Sequence, residues 1–207
     1  MRDGFYFTPQ KDTNAKLHVV EDGKQLPFLI ADSRVAKRCL ALARIENELM
    51  QAVLLAKMID PSQQGHVNLA FWHAAVMSYA RCFSNAWGRG TTLEKEHVGQ
   101  AGSEFLTTHD DIMELRNQYV AHAGNHSQEI DRIAVTLKPP PMPKAVNNTF
   151  YFLISQMGPK SENRDDFVRL CDSLISVVTS IRVRAEKRLL DAYRELDLDE
   201  LYRTAYT

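Results

Sequence analysis

No uninterrupted apolar run in the 207 residues approaches the roughly 20 that a membrane-spanning helix needs. The opening stretch MRDGFYFTPQKD has no apolar core behind its basic residue, so it does not read as a secretory signal. Cysteine is scarce. Cys39, Cys82 and Cys171 are odd in number, far apart and set in apolar helical surroundings. That pattern excludes a disulfide framework and reads as small core side chains in a reducing compartment. Charge excess is also missing: Lys and Arg number 25, Asp and Glu 26, and the net charge is −1. No whole-molecule field therefore draws the chain to nucleic acid or to an anionic membrane, and contact with a polyanion requires a local patch. These absences together point to a cytoplasmic protein with no membrane partner.

Glycine-rich phosphate loops and nucleophile elbows are absent too, which removes the chemistry those turns support and leaves no cofactor to expect. His66, His73, His97, His109, His122 and His126 raise the question of a metal. His122 and His126 are four apart, a spacing that could pair them on a helix, but Gly124-Asn125 interrupts it. Asp110-Asp111 beside His109 adds oxygen atoms without a recognised ligand spacing, so no metal site is expected.

What remains is largely helical periodicity. Residues 1–32 form a weakly patterned N-terminal arm, in which Asp22-Gly23 between short apolar pieces predicts a tight hairpin. Helical spacing runs from about Ser33 to Ile59, with Val35, Leu42, Ile45, Leu49 and Val53 on one face, and Asp60-Pro61 ends it. A second helix covers about His66 to Phe83, with Leu69, Trp72, Val76, Tyr79, Ala80 and Phe83 inward. TTLE reads as a capping box, Thr91 with Glu94, opening a short helix. Another helix begins at Ser103 and stops near Gly124.

The period then changes. Ile133, Val135 and Leu137 alternate, as do Phe150, Phe152 and Ile154, predicting two strands joined by the extended, proline-rich KPPPMPKAVNN. A long helix follows from about Arg164 to about Tyr202, buried along Phe167, Leu170, Cys171, Leu174, Val178, Ile181 and Ala185. The expected fold is all-α. Residues 33–207 form one helical domain of four to five helices, with a β-hairpin inserted at about 129–156.

Within the helix from Ser103, the stretch ELRNQYVAHAGN is unusual. At about 100° per residue from His109, Phe105, Leu106, Ile112, Met113, Tyr119 and Val120 span an apolar arc from about 280° to about 60°. Arg116 falls inside that arc at about 340°, Asn117 on one border at about 80° and His122 on the other at about 220°. An arginine on an apolar face is costly unless it has a partner or opens onto a cleft. Glu46, near the centre of the first helix's apolar face, offers a partner, and an ion pair with Arg116 would fix the helix register. His109 lies one heptad before Arg116 and supports the same face. Alternatively Arg116, Asn117 and His122 face a cleft, where Arg offers a permanently charged fork for phosphate and His exchanges protons near neutral pH. On an ideal helix Arg116 and His122 are about 120° and about 9 Å apart. The cleft reading therefore requires a distorted last turn, or two chains side by side about a symmetry axis.

RNQYVAH, Arg116 to His122, resembles the R-x(4–6)-H signature of HEPN domains, with the polar residue directly after Arg. His109, Leu115, Arg116, Asn117, Ala121 and His122 are similar to the pattern that closes a long helix in the abortive-infection-like subgroup, as is SYARCFS at Ser78 to Ser84. The resemblance covers about residues 33–124 and the last helix. It implies a helical homodimer with facing motifs, acting as a metal-independent endoribonuclease of a toxin–antitoxin or phage-defence system, with an antitoxin protein as a further partner. His122 would be the general acid/base for attack by a ribose 2′-hydroxyl, Arg116 would stabilise charge on the phosphate, and Asn117 would orient the site. That nucleophile restricts cleavage to RNA, so no DNA partner is expected. Gly124 stands where one toxin subgroup carries a modifiable tyrosine two residues after the histidine. Non-catalytic members suggest the alternative: a nucleotide-binding or protein-interaction scaffold. IRVRAEKR, Ile181 to Arg188, forms a basic strip or a solvated face, and TFYFLI an edge strand able to recruit a partner.

Overall fold

The computed structural model describes residues 4–8, 16–60, 62, 65–85, 90–117, 129–155 and 159–206. In chain order the elements are β1 (Gly4–Thr8), β2 (Lys16–Glu21), β3 (Lys24–Leu26), α1 (Arg34–Lys57), α2 (His66–Arg81), α3 (Lys95–Ala101), α4 (Phe105–Leu115), β4 (Glu129–Leu137), β5 (Val146–Ser155), α5 (Ser161–Arg194) and α6 (Leu198–Thr204). Helix dominates, with small antiparallel sheets beside it, in keeping with the expected all-α class. The chain divides into two compact units, residues 41–181 and residues 1–40 with 182–207.

In the 41–181 unit the core is made by one stripe of each helix. Ile45, Leu49, Ala52 and Ala56 of α1 are buried, as are Trp72, Val76 and Tyr79 of α2 and Phe167, Leu170, Leu174 and Val178 of α5. Their 3- and 4-residue spacing is that of a single helix face, and each large side chain so buried contributes about 1.5–3 kcal/mol. The Phe167 ring is the junction: Trp72 and Tyr79 meet it edge-on at 5.2 and 5.4 Å. Asn68, itself buried, closes the α1–α2 connection by donating to Asp60 O at 2.7 Å and accepting from Asp60 N at 3.2 Å. The cysteines are free and buried, as their apolar settings predict; Cys82 Sγ donates to Ser78 O and Ile45 O.

The hairpin β4–β5 forms where alternation predicts it, with Ile133 opposite Tyr151, Val135 opposite Thr149 and Leu137 opposite Val146. Several boundaries move for identifiable reasons. Leu93 is buried and its N–H donates to Cys82 O at 2.8 Å, and Glu94 after it is extended, with φ −126° and ψ 166°. The cap of α3 is consequently Glu94 paired with His97, not Thr91 with Glu94. α4 starts at Phe105 instead of Ser103, and α5 starts at Ser161, earlier than the expected Arg164.

In the other unit β1, β2 and β3 form an antiparallel sheet. Asp22 and Gly23 make the two-residue β2–β3 turn with φ of 49° and 75°, the left-handed geometry that Asp-Gly favours. Phe28 and Tyr206 exchange backbone hydrogen bonds of 3.0 and 2.8 Å, and their rings stack at 5.3 Å. α5 stops at Arg194 and does not continue to Tyr202, because the Asp197 carboxylate accepts the Asp199 N–H at 2.9 Å and caps a separate helix. Val35, placed on the inward face by periodicity, is 37% exposed.

Replacing Leu174, fully buried on α5, by Ala is expected to lower unfolding free energy by about 2–5 kcal/mol in urea titration. Leu54→Ala, at a side chain 61% exposed, is expected to change it by less than about 0.5 kcal/mol.

Candidate functional site

α4 carries the residues of interest. Phe105, His109, Ile112 and Leu115 are its buried positions, a single stripe facing the core of the 41–181 unit. His109 is held by α2: Tyr79 Oη and His109 Nδ1 lie 2.7 Å apart and share a hydrogen bond whose direction follows the ring's tautomer. Phe83 covers the imidazole, ring centroids 4.6 Å apart. Burial lowers the pKa of His109, and Lys95 adds to the effect while Asp110 opposes it. Burial also pushes the Tyr79 hydroxyl well above the ordinary phenol range. His109 thus anchors the motif helix through its ring. Outside, Lys95 Nζ donates to both carboxylate oxygens of Asp110 at 2.7 Å, tying α3 to α4 and holding that carboxyl below its usual range.

One heptad after His109, the α-helix gives way to a wider π turn at Arg116 and Asn117. Arg116 itself keeps α-helical backbone angles, φ −58° and ψ −46°, and its N–H donates to Ile112 O and Met113 O. Arg116 is half-buried and Asn117 exposed. Arg116 Nη1 donates to Asn117 Oδ1 at 2.8 Å, and Arg116 Nε is buried without an acceptor among the described residues. An Arg116–Glu46 ion pair is not among those the described residues form. Glu46 is half-buried on α1 and accepts a hydrogen bond from Thr179 Oγ1 of α5 at 2.5 Å. The helical wheel places Glu46 near an apolar face without showing that α5 supplies a hydroxyl there.

His122 lies outside the described residues, so the structure brings together Arg116 and Asn117 and fixes His109 behind them. Among the described residues no three His, Cys, Asp or Glu side chains converge as a metal site would require. No helix among them is long and apolar enough to cross a membrane. No protein-family model, no curated protein and no solved structure matches the chain. Tyr79 is the site-supporting residue that periodicity assigned only to the core. Its four-residue spacing to Phe83 marks an aromatic stripe, but its partner lies 30 residues away on another helix.

Tyr79→Phe leaves a buried imidazole nitrogen without its partner and is expected to cost about 1–3 kcal/mol in chemical denaturation. The pKa of His109 is lowered in the folded state, so the unfolded chain binds the proton more readily. Stability should be full above about pH 6.5 and fall as pH drops below it. His73, also lowered by burial, contributes in the same direction. A His109→Gln variant should show a flatter acid limb when Tm is followed from about pH 7 to about pH 5.

Proposed function

We propose that the chain is a HEPN-type endoribonuclease, acting as a homodimer without a catalytic metal. In this reading Arg116 and Asn117 form the anion-gripping half of the site and His122 is the proton-transfer residue. One observation carries the reading: a buried guanidinium N–H of Arg116 has no acceptor among the described residues, while its neighbouring arm is steadied by Asn117. A buried cationic donor without an acceptor is unfavourable by itself, and a phosphate oxygen supplies what it lacks.

The chemistry is transesterification. Neutral His122 takes the proton of a ribose 2′-hydroxyl, the oxygen attacks the adjacent phosphorus, and the bond to the 5′-oxygen breaks. The products are a 2′,3′-cyclic phosphate and a 5′-hydroxyl, the proton returning to the leaving oxygen from an imidazolium. Arg116 stabilises the extra negative charge on the phosphoryl oxygens in the transition state. The biological setting that fits such an activity is a toxin–antitoxin or phage-defence system in which an antitoxin protein restrains it.

A second reading, a non-catalytic interaction scaffold, is favoured by the hairpin. Ile133, Val135 and Leu137 alternate along β4, with Val146 opposite Leu137, and all four are more than half exposed.

Incubation of the protein with tRNA and mixed RNA in EDTA should yield cleavage products ending in cyclic phosphate. His122→Ala should slow cleavage by about 10²–10⁴-fold. Arg116→Ala should slow it by about 10²–10³-fold, with Tm nearly unchanged. Intact RNA with the wild-type protein, or equal cutting by both variants, discards the nuclease reading.

A further inference from the structure

The basic strip in the C-terminal half of α5 is used by neither the core nor the Arg116 motif. Residues 33–40 and 182–188 together hold seven Lys or Arg against one Glu, in a chain whose total charge is −1. Both segments belong to the same compact unit. Burial and the Glu186 carboxylate raise the Cys39 thiol while the Arg182 guanidinium lowers it, so α1 and α5 run close together at this level. Arg182 is half-buried and donates to Glu186 at 2.5 Å, a pair four residues apart along the helix. The cations around it are treated differently. Arg184, Lys187 and Arg188 of α5 and Arg34 and Arg38 of α1 are exposed, and none belongs to the ion pairs among the described residues. Arg184 and Arg188 stand four apart, as do Arg34 and Arg38, a spacing at which like charges repel across one helical turn. Each helix carries a self-repelling pair where a glutamate would relieve it, as Glu186 does beside Arg182.

We propose that Arg34, Arg38, Arg184, Lys187 and Arg188 form a docking surface for the phosphates of single-stranded RNA, which grips the substrate and takes no part in breaking it. The proposal deepens the ribonuclease reading and rests on it for the identity of the polyanion. Four of the five are arginines, whose planar forks meet phosphate oxygens two at a time. A phosphodiester backbone presents a row of single negative charges, which relieves the repulsion between cations held one turn apart on each helix. Every phosphate so neutralised also releases counterions from the RNA. The net charge of the chain supplies no general attraction, so the field that draws RNA in has to be local, and the excess of seven cations over one Glu supplies it.

Such a surface reads charge and not bases, so its grip is indifferent to sequence and weakens with salt. Affinity on the order of 1–100 μM near physiological salt is the range for contacts of this kind. At roughly 0.7 per phosphate, engagement of all five cations gives a slope of about 3.5 for log Kd against log salt concentration.

The experiment is fluorescence anisotropy of the whole chain with a fluorescein-labelled 2′-O-methyl oligoribonucleotide of mixed sequence, titrated at several KCl concentrations. That probe has no 2′-hydroxyl to attack, so its Kd is read whether or not the chain cuts RNA. The double variants Arg184→Ala/Arg188→Ala and Arg34→Ala/Arg38→Ala should each raise Kd at least about fivefold and lower the salt slope by about 1.4. Arg184→Lys/Arg188→Lys keeps the charge and should keep the slope. Arg203→Ala, at an exposed arginine already paired with Glu200, should leave Kd unchanged. The substituted side chains are exposed, so every variant should retain the wild-type Tm. On ordinary RNA the two alanine doubles should raise KM and leave kcat near wild type. Probe binding without cutting of ordinary RNA discards the ribonuclease reading and upholds the surface. Cutting with a Kd that neither alanine double alters discards the surface alone. No binding of the probe, a Kd indifferent to salt, or binding only to phosphatidylserine-containing vesicles also overturns the proposal.

Discussion

The ring of Phe167 and the hydroxyl of Tyr79 together hold the motif helix in place. Phe167 brings α5 against α2 through its edge contacts with Trp72 and Tyr79. Tyr79 then reaches α4 through His109. Both anchors are buried, so their interaction energies are not diluted by water, and loss of one polar partner leaves the other stranded. Arg116 follows His109 by one heptad, and its position is inherited from this anchor.

The electrostatics on the two sides of α4 differ in kind. On the outer side Lys95 and Asp110 form an exposed pair, which solvent screens and which contributes little to stability. At the C-terminal end the charge of Arg116 is steadied by a neutral, exposed amide, Asn117. An amide positions a guanidinium without cancelling its charge, whereas a carboxylate does both. The hydroxyl of Thr179 meets Glu46, so that carboxylate has a hydrogen-bond donor of its own on α5. Cation and anion, which helical wheels bring to facing positions, are thus provided for by different neighbours.

The exposed face of α1 shows how one helix can encode two surfaces. Its inner stripe is built of small and branched residues that allow close approach, among them Ala52 and Ala56 at 0% exposure. Its first turns carry Arg34, Lys37 and Arg38, all exposed.

Much of the fold was legible in advance, because local rules dominate where each element begins. The Asp22-Gly23 turn follows from left-handed backbone preference, the β4–β5 hairpin from period-two alternation, and the buried stripe of α5 from its spacing of three and four. Arg116 and Asn117 stood out as candidates because charge inside an apolar arc is anomalous on any wheel. What the sequence could not reveal were partners across space. The link from Tyr79 to His109, the hydroxyl that Thr179 offers Glu46, the pinning of Leu93 that shifts the α3 cap, and the π turn at Arg116 all depend on where helices meet. Periodicity determines which face of a helix is buried, since that is a property of one segment and its solvent. Which group on another segment meets a given side chain was decided only by tertiary packing, because distance along the chain carries no information about that approach.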